Sequence, residues 1–403
     1  MRILQITPHY YPQRGGVERH VQSISEGLVA QGHDVVVITM AMPGAVAAER
    51  INAVPVYRLR AVGPTSAYHV PLSLADCLLN CPNFDVIHVH NYHAAMLPMV
   101  AALAPGRLVI TPHLNDRPHS RIAGLLHMPY SVVGRWSLRR ARAIVCVSAA
   151  ERARLLSRFG LRPECITVIP NGVDIAGASG THAIQRDPTL LLAVGRLQAY
   201  KGVDRAIAAL TRLPAAYRLV VVGEGPCRAD LQAHAERLGV AGRVTFVGAV
   251  SDDRLAGWYR QASVMLAMSS AEAFGITVIE ALAHGCRAVC NDIPAFRDLA
   301  AQMPTHISIV LGDCAKEVAA ATVRATQTPT VEADLTPFSW DQIVERLMML
   351  YAEVASQDGC KVSRSPPAPH PQPLLHRGGG EPDRFLVRNT PSPSVGEGVG
   401  REG

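Results

Sequence analysis

Short apolar runs alternate with segments of helical period along most of this chain. In the first half the runs fall at residues 3–7, 34–40, 54–59, 85–90, 108–111, 143–147 and 166–169. In the second they fall at 190–194, 218–222, 244–247, 264–267 and 288–291. Unbroken apolar runs set between amphipathic stretches are the pattern of strands buried on both faces and joined by crossover helices. Between the first two runs, a helix predicted from about Gly16 to Ala30 meets a suitable stop at Gly32. The pattern predicts an α/β fold with two Rossmann-like sheets, each taking ligand at the carboxyl ends of its strands.

Changes of texture divide the chain. The first sheet is expected within residues 1–175, and a linker over 176–188 follows, whose small polar residues at 176–181 would hinge a cleft. The second sheet is expected within 189–338 and a helix over 339–356. A tail over 357–403 turns from about Ser363 to Pro, Gly, Ser and Arg without period. Such a tail buries too little apolar surface to offset its ordering entropy, so disorder is expected there.

Length agrees with this division, since 403 residues exceed a usual single core. The net charge of +6 is uneven: residues 1–175 hold 17 Arg, no Lys and 10 acids, whereas residues 176–361 hold 17 basic and 19 acidic residues. A basic first half implies an anionic partner. Nucleic acid is not expected, because no basic-aromatic interleaving or binding motif is present. An anionic membrane surface or a lipid-diphosphate acceptor fits better. Arg117, Arg121, Arg135, Arg139, Arg140 and Arg142 flank apolar Ile122, Leu125, Leu126, Val132 and Val133, which reads either as a solvated helix face or as a lipid-docking one. The nine cysteines are scattered without a zinc spacing, which points to a reducing cytosol. Residues 1–6 already read as core, so no secretory leader is expected, and no run is long enough to span a bilayer.

The chemistry concentrates in two stretches. In Glu272-Ala273-Phe274-Gly275-Ile276-Thr277-Val278-Ile279-Glu280, one carboxylate follows a predicted strand and another sits just inside the following helix. Exposed backbone N–H groups at that helix start accept anionic oxygens, and carboxylates accept hydrogen bonds from sugar hydroxyls. In Gly195-Arg196-Leu197-Gln198-Ala199-Tyr200-Lys201-Gly202, two cations follow a strand and precede a helix, where they can neutralise a diphosphate. Together they read as a nucleotide-sugar site. Gly15 and Gly16 open the first helix, where the lack of a Cβ admits a ligand close to the backbone.

These stretches resemble the family-4 retaining glycosyltransferases of GT-B fold. So do Pro12-Gln13-Arg14-Gly15-Gly16-Val17-Glu18-Arg19-His20, Thr111-Pro112-His113, Pro170-Asn171-Gly172-Val173-Asp174 and Phe338-Ser339-Trp340, which occur in the family's order. The resemblance implies an acceptor-binding first domain, a nucleotide-sugar-binding second domain and a last helix that crosses back onto the first. It implies catalytic roles for His113, Glu272, Arg196 and Lys201. Substrate contacts are implied for Gly15, Gly16, Arg196, Lys201, Phe274, Gly275, Ile276 and Glu280, with Glu280 on the ribose and Glu272 on the transferred sugar. No metal and no cofactor are implied, since cationic side chains take the metal's place; His88 and His90 are therefore not read as a metal pair. Asn291-Asp292-Ile293-Pro294-Ala295-Phe296 departs from the usual glycine-rich turn and resembles a variant among transferases using GDP-mannose. The expected activity is metal-independent hexosyl transfer, with retention, from a nucleotide-diphosphate sugar to a glycan or lipid-linked acceptor in envelope or exopolysaccharide synthesis. The expected place is cytoplasmic, peripheral on the inner face of the membrane. A GT-B-type 2-epimerase and a degenerate sugar-nucleotide-binding protein are the alternatives; the first would need an acid-base carboxylate cluster that the chain lacks.

Overall fold

The computed structural model describes residues 1–357 apart from Arg14, Pro43, 63–68, Leu72, 81–83, 115–120, 176–185 and 329–331, and apart from the side chains of 121–129. Eight strands form the first sheet: β1 (Arg2–Ile6), β2 (Asp34–Met40), β3 (Ala48–Ile51), β4 (Val54–Leu59), β5 (Val86–His90), β6 (Leu108–Thr111), β7 (Ala143–Cys146) and β8 (Ile166–Val168). Their order is β3-β4-β2-β1-β5-β6-β7-β8. All neighbours are parallel except β3, which runs antiparallel to β4. The second sheet has six: β9 (Asp187–Val194), β10 (Arg218–Val222), β11 (Val244–Gly248), β12 (Ala262–Ala267), β13 (Arg287–Asn291) and β14 (Ile307–Val310), in the order β11-β10-β9-β12-β13-β14. All of its pairings are parallel.

Three strand readings need correction. β3 was not predicted because its AERI sequence is polar and its exposure alternates along an edge. β14 lies in the region past residue 300 where no apolar run stood out. β9 opens at Asp187, inside the segment 176–188 read as the linker; Asp187 there accepts hydrogen bonds from Thr189 and Arg218. Linker residues 176–185 and the tail from 358 lie outside the described residues.

Helices cover both sheets. On the first lie α1 (Gly16–Ala30), α2 (Leu74–Asn80), α3 (Met96–Leu103), α4 (Arg121–Arg140) and α5 (Ala149–Phe159). With the second go α6 (Val203–Ala209), α7 (Arg228–Arg237), α8 (Asp252–Gln261), α9 (Ile276–Ala283), α10 (Pro294–Gln302) and α11 (Ala315–Gln327). The last, α12 (Trp340–Gln357), returns to the first sheet as expected. Its stripe Ile343, Val344, Leu347, Tyr351 and Val354 is buried in one cluster with Val21, Ile24 and Leu28 of α1. Each such side chain contributes about 1.5–3 kcal/mol by leaving water. The helices meet closely: a Cβ on Gly27 would lie 2.7 Å from Val344.

The two places where the chain passes between the sheets lie side by side. Val173 N–H donates to the Phe338 carbonyl at 2.8 Å, and Val173 bridges Ser339 in parallel. A Cβ on Gly172 would stand 2.3 Å from the Trp340 ring, so the turn at Gly172 exists because that residue has no side chain. Among the described residues no helix is long and apolar enough to cross a membrane.

Candidate active site

The loops after β9 and β12 bring the predicted cation and carboxylate into contact. Beyond β9 the chain makes a short helical turn, Ala199–Lys201, before α6. Gly202 ends that turn at φ +65°, where a Cβ would meet the Met268 carbonyl at 2.1 Å. The N–H of Ser270 then donates to the Tyr200 carbonyl at 2.8 Å, fixing one loop to the other. Lys201 Nζ therefore sits 2.7 Å from Glu272 Oε1, with both side chains more than four-fifths buried. An ammonium has three donors, so two remain for phosphate oxygens. Arg196 is exposed beside it. Burial holds His9 of the first half below its ordinary pKa; Glu18 opposes that shift, and the charges of His69 and Arg196 add to it.

Gly275 precedes α9 at φ +103°, and the Phe296 ring lies where its Cβ would be, at 2.7 Å. The Ile293–Phe296 segment thereby sets the loop that aims α9. Phe274, expected at the substrate, has its ring in the core, 6.0 Å from Phe338 between centroids. Only its backbone can serve a ligand. Ile276 is half-buried, and a Cβ on Gly16 would lie 3.8 Å from its Cγ2. The glycine turn of α1 and the first turn of α9 therefore face one another. The helix dipole and the first-turn N–H groups of α9 favour an anion there.

One turn along α9, Glu280 is a doubly held carboxylate. Its Oε1 accepts from Arg19 Nη1 at 2.9 Å and its Oε2 from the Tyr259 hydroxyl at 3.0 Å. Burial raises its pKa, while Arg19 and the Tyr259 hydroxyl pull it down. A cavity of about 160 Å³ adjoins it, lined by Arg19, Asp174, Asp252, Tyr259, Glu280 and His284 among others.

His113, two residues past the end of β6, stands at φ +46°, a left-handed backbone that a histidine seldom adopts. Its ring stacks on His90 at 5.8 Å and meets His20 edge-on at 5.3 Å. Burial lowers all three, His20 to about 4, so they stand neutral at pH 7. Nitrogens of His20, His90 and His113 lie within 4.8 Å of one another, the group that could hold a metal ion among the described residues. His88 and His90 also belong to a buried polar chain. Tyr351 Oη bonds His88 Nδ1 at 2.6 Å, His88 Nε2 bonds Thr111 Oγ1 at 2.8 Å, and His90 Nε2 bonds Gln5 Oε1 at 2.8 Å. The Glu151 carboxylate, its pKa raised by burial to about 7, accepts from Leu114 N–H at 2.6 Å and Val147 N–H at 2.8 Å. It thereby ties the loop after His113 to the end of β7.

Arg19, Tyr259 and His20 were missed by sequence reading. Arg19 and His20 stood in the glycine motif unweighed, and only the register of a helix starting at Gly16 would have signalled which of them faces outward. On α4, Val132, Val133 and Trp136 are exposed among exposed Arg135, Arg139 and Arg140. Arg142, just past the helix, is exposed as well. Arg117 and the side chains of Arg121, Ile122, Leu125 and Leu126 lie outside the described residues.

Two family models match the chain: Glycosyltransferase Family 4 over residues 14–176 and Glycosyl transferases group 1 over residues 178–320. A phosphatidyl-myo-inositol mannosyltransferase of Mycolicibacterium smegmatis is 29% identical over 398 residues, covering 91% of this chain and 97% of that protein. Its counterpart in Mycobacterium tuberculosis is 31% identical over 320 residues, covering 74% and 79%. Among solved structures, the sucrose-phosphate synthase of Thermosynechococcus elongatus superposes with a TM-score of 0.67 at 20% identity, covering 89% of this chain and 100% of that one. The last likeness shows the two-sheet GT-B architecture.

Proposed function

This chain belongs to the family-4, group-1 glycosyltransferases, and from that premise we propose that it moves a hexosyl residue, with retention, from a nucleotide-diphosphate sugar to a lipid-linked or glycan acceptor. The observation that carries this reading is the Lys201–Glu272 pair at the ends of β9 and β12, beside the first turn of α9. It sets cations and backbone donors for a diphosphate next to a carboxylate for sugar hydroxyls. In this reading Arg196 and Lys201 hold the diphosphate, and Gly275 and Ile276 offer it backbone N–H groups. Glu280 accepts from the ribose, while Glu272 and His113 hold the sugar against the Gly15–Gly16 turn.

The acceptor hydroxyl attacks the anomeric carbon from the face that the diphosphate leaves. The bond from that carbon to the phosphate oxygen breaks, the bond to the acceptor oxygen forms, and the acceptor's proton passes to the departing diphosphate. The protein supplies position and charge. Arg196 and Lys201 carry the positive charge that the leaving group needs, so turnover should persist in EDTA.

The donor proposed is GDP-mannose, supported by two relatives being phosphatidyl-myo-inositol mannosyltransferases. Their names also include an inositol lipid, which supports a lipid acceptor. The basic-apolar face of α4 supports peripheral docking on an anionic inner membrane leaflet, with the protein otherwise cytoplasmic. The test is to incubate the protein with GDP-mannose, UDP-glucose or ADP-glucose and anionic-lipid vesicles. Free nucleotide diphosphate and an α-linked product should appear with GDP-mannose. Conversion of the nucleotide sugar without release of nucleotide would show an epimerase instead.

A further inference from the structure

We propose that Arg19 is a positioning residue for donor capture: reaching from α1 of the first half, it fixes the Glu280 carboxylate of the second half for the two hydroxyls of a nucleotide ribose. The proposal rests on the reading of the site given above and adds a residue and a coupling to it. The partners are 261 positions apart and on different sheets, so nucleotide affinity becomes tied to contact between the halves.

Among the described residues each Glu280 oxygen has one hydrogen-bond partner, Arg19 Nη1 on Oε1 and the Tyr259 hydroxyl on Oε2. A carboxylate oxygen carries two lone pairs, so one on each remains free for a vicinal diol. Only an ionised carboxylate accepts at both oxygens, and Glu280 needs help to stay ionised. Its side chain is 12% exposed, and burial favours the protonated form, as does Asp252. Tyr259 is buried and stays a neutral phenol. The remaining charged and titratable groups around the cavity are Asp174 beside the crossover, Asp252, Asp253 and Arg260 on α8, and His284 just past α9. Of these, Asp252 disfavours the Glu280 charge, burial keeps His284 neutral, and Arg19 is the cation bonded to the carboxylate.

A purely structural role explains the pair less well. The Arg19 side chain is 37% exposed, and ion pairs with a partner so open to water contribute about 1 kcal/mol or less to folding. Its larger consequence is the protonation state of a buried acceptor.

The experiment is calorimetric titration of the full-length chain with GDP, UDP and ADP between pH 8.5 and 6. The proteins compared are the wild type, Arg19→Met, Arg19→Lys, Glu280→Gln and the double variant Arg19→Met/Glu280→Gln. Arg19→Met should bind the preferred diphosphate about tenfold more weakly at pH 7, with a further loss of about tenfold by pH 6 beyond that of the wild type. Arg19→Lys should restore the wild-type pH profile. In the Glu280→Gln background, Arg19→Met should change neither affinity nor pH dependence, because the titrating group is gone. Comparing proteins at each pH cancels titration of the ligand's phosphate. Unchanged or tighter binding by Arg19→Met would overturn the proposal, as would an equal loss at every pH that persists with Glu280→Gln. If the wild type binds none of the three diphosphates, the reading of the site fails instead. If Arg19→Met does not fold, a wild-type profile in Glu280→Gln overturns the proposal and a flat one supports it.

Discussion

The two halves share one architecture and treat polarity in opposite ways. In the first half, His20 of α1, His88 and His90 of β5 and His113 of the loop after β6 are packed together, and burial keeps them uncharged. Its positive charge lies outside, on exposed arginines such as Arg135, Arg139 and Arg140. The second half has nearly balanced charge and sets Lys201 with Glu272 at its strand ends, while Glu280 on α9 is held by Arg19 of the first half. In the proposed reading an anionic donor finds its counter-charges in the second half, and the first half turns the half-buried His113 and a glycine turn toward the sugar.

Acid should break this comparison most strongly. His20 is lowered from 6.5 to about 4 by burial, so between those values the unfolded chain binds the proton and the native one does not. Its stabilisation is therefore complete above pH 6.5 and lost as pH falls toward 4, about 3 kcal/mol for this residue alone. His88, His90 and His113 shift in the same direction. Glu151 runs the other way: its raised pKa stabilises below the ordinary carboxylate range and is lost as pH rises through about 7. Glu280 shifts in the same direction as Glu151, but the lowered histidines outnumber these two carboxylates, which leaves a net loss in acid. Melting curves should show Tm falling by several degrees from pH 7 to pH 5, with His20→Phe reducing the slope; a flat Tm would mean that these histidines are not neutral in the native state.

The outer charge of the first half is testable separately. The triple variant Arg135→Glu, Arg139→Glu, Arg140→Glu should lose about a hundredfold in partitioning to anionic vesicles at low salt, since each basic residue near such a surface contributes about 1 kcal/mol. Release of nucleotide from the donor to water should be spared. Equal vesicle binding by wild type and variant would remove the membrane from the account.

A smaller effect sharpens the boundary between the halves. Gly172→Ala places a Cβ 2.3 Å from the Trp340 ring and should cost about 1–3 kcal/mol in urea unfolding. Gly257→Ala on α8 meets nothing within 4 Å and should be neutral or stabilise by up to about 1 kcal/mol. Equal effects would show that the crossover is looser than its packing.

Much of this was legible in the sequence because parallel strands are buried on both faces and announce themselves as unbroken apolar runs. Those of β1, β2, β5 and β12 did so. The edge strand β3 did not, because charged Glu49 and Arg50 break its four residues, and Asp187 hid the start of β9. Motif order placed Lys201, Glu272 and Glu280 in one neighbourhood, and the loops bring the first two into contact. It did not tell which side chains in a motif face a ligand: Phe274 turns into the core beside Phe338. Nor could it pair Arg19 with Glu280, a contact that depends on how two separately folded sheets approach.

The most direct test of the central claim, that Arg196 and Lys201 hold the diphosphate of the donor, is kcat/KM for release of nucleotide from the preferred sugar donor. Lys201→Ala and Arg196→Ala should each lower it about a hundredfold or more, the scale of losing one preorganised contact to a developing charge, while Tm stays near that of the wild type. Values within a few-fold of wild type for both variants would contradict the assignment of this loop to the diphosphate.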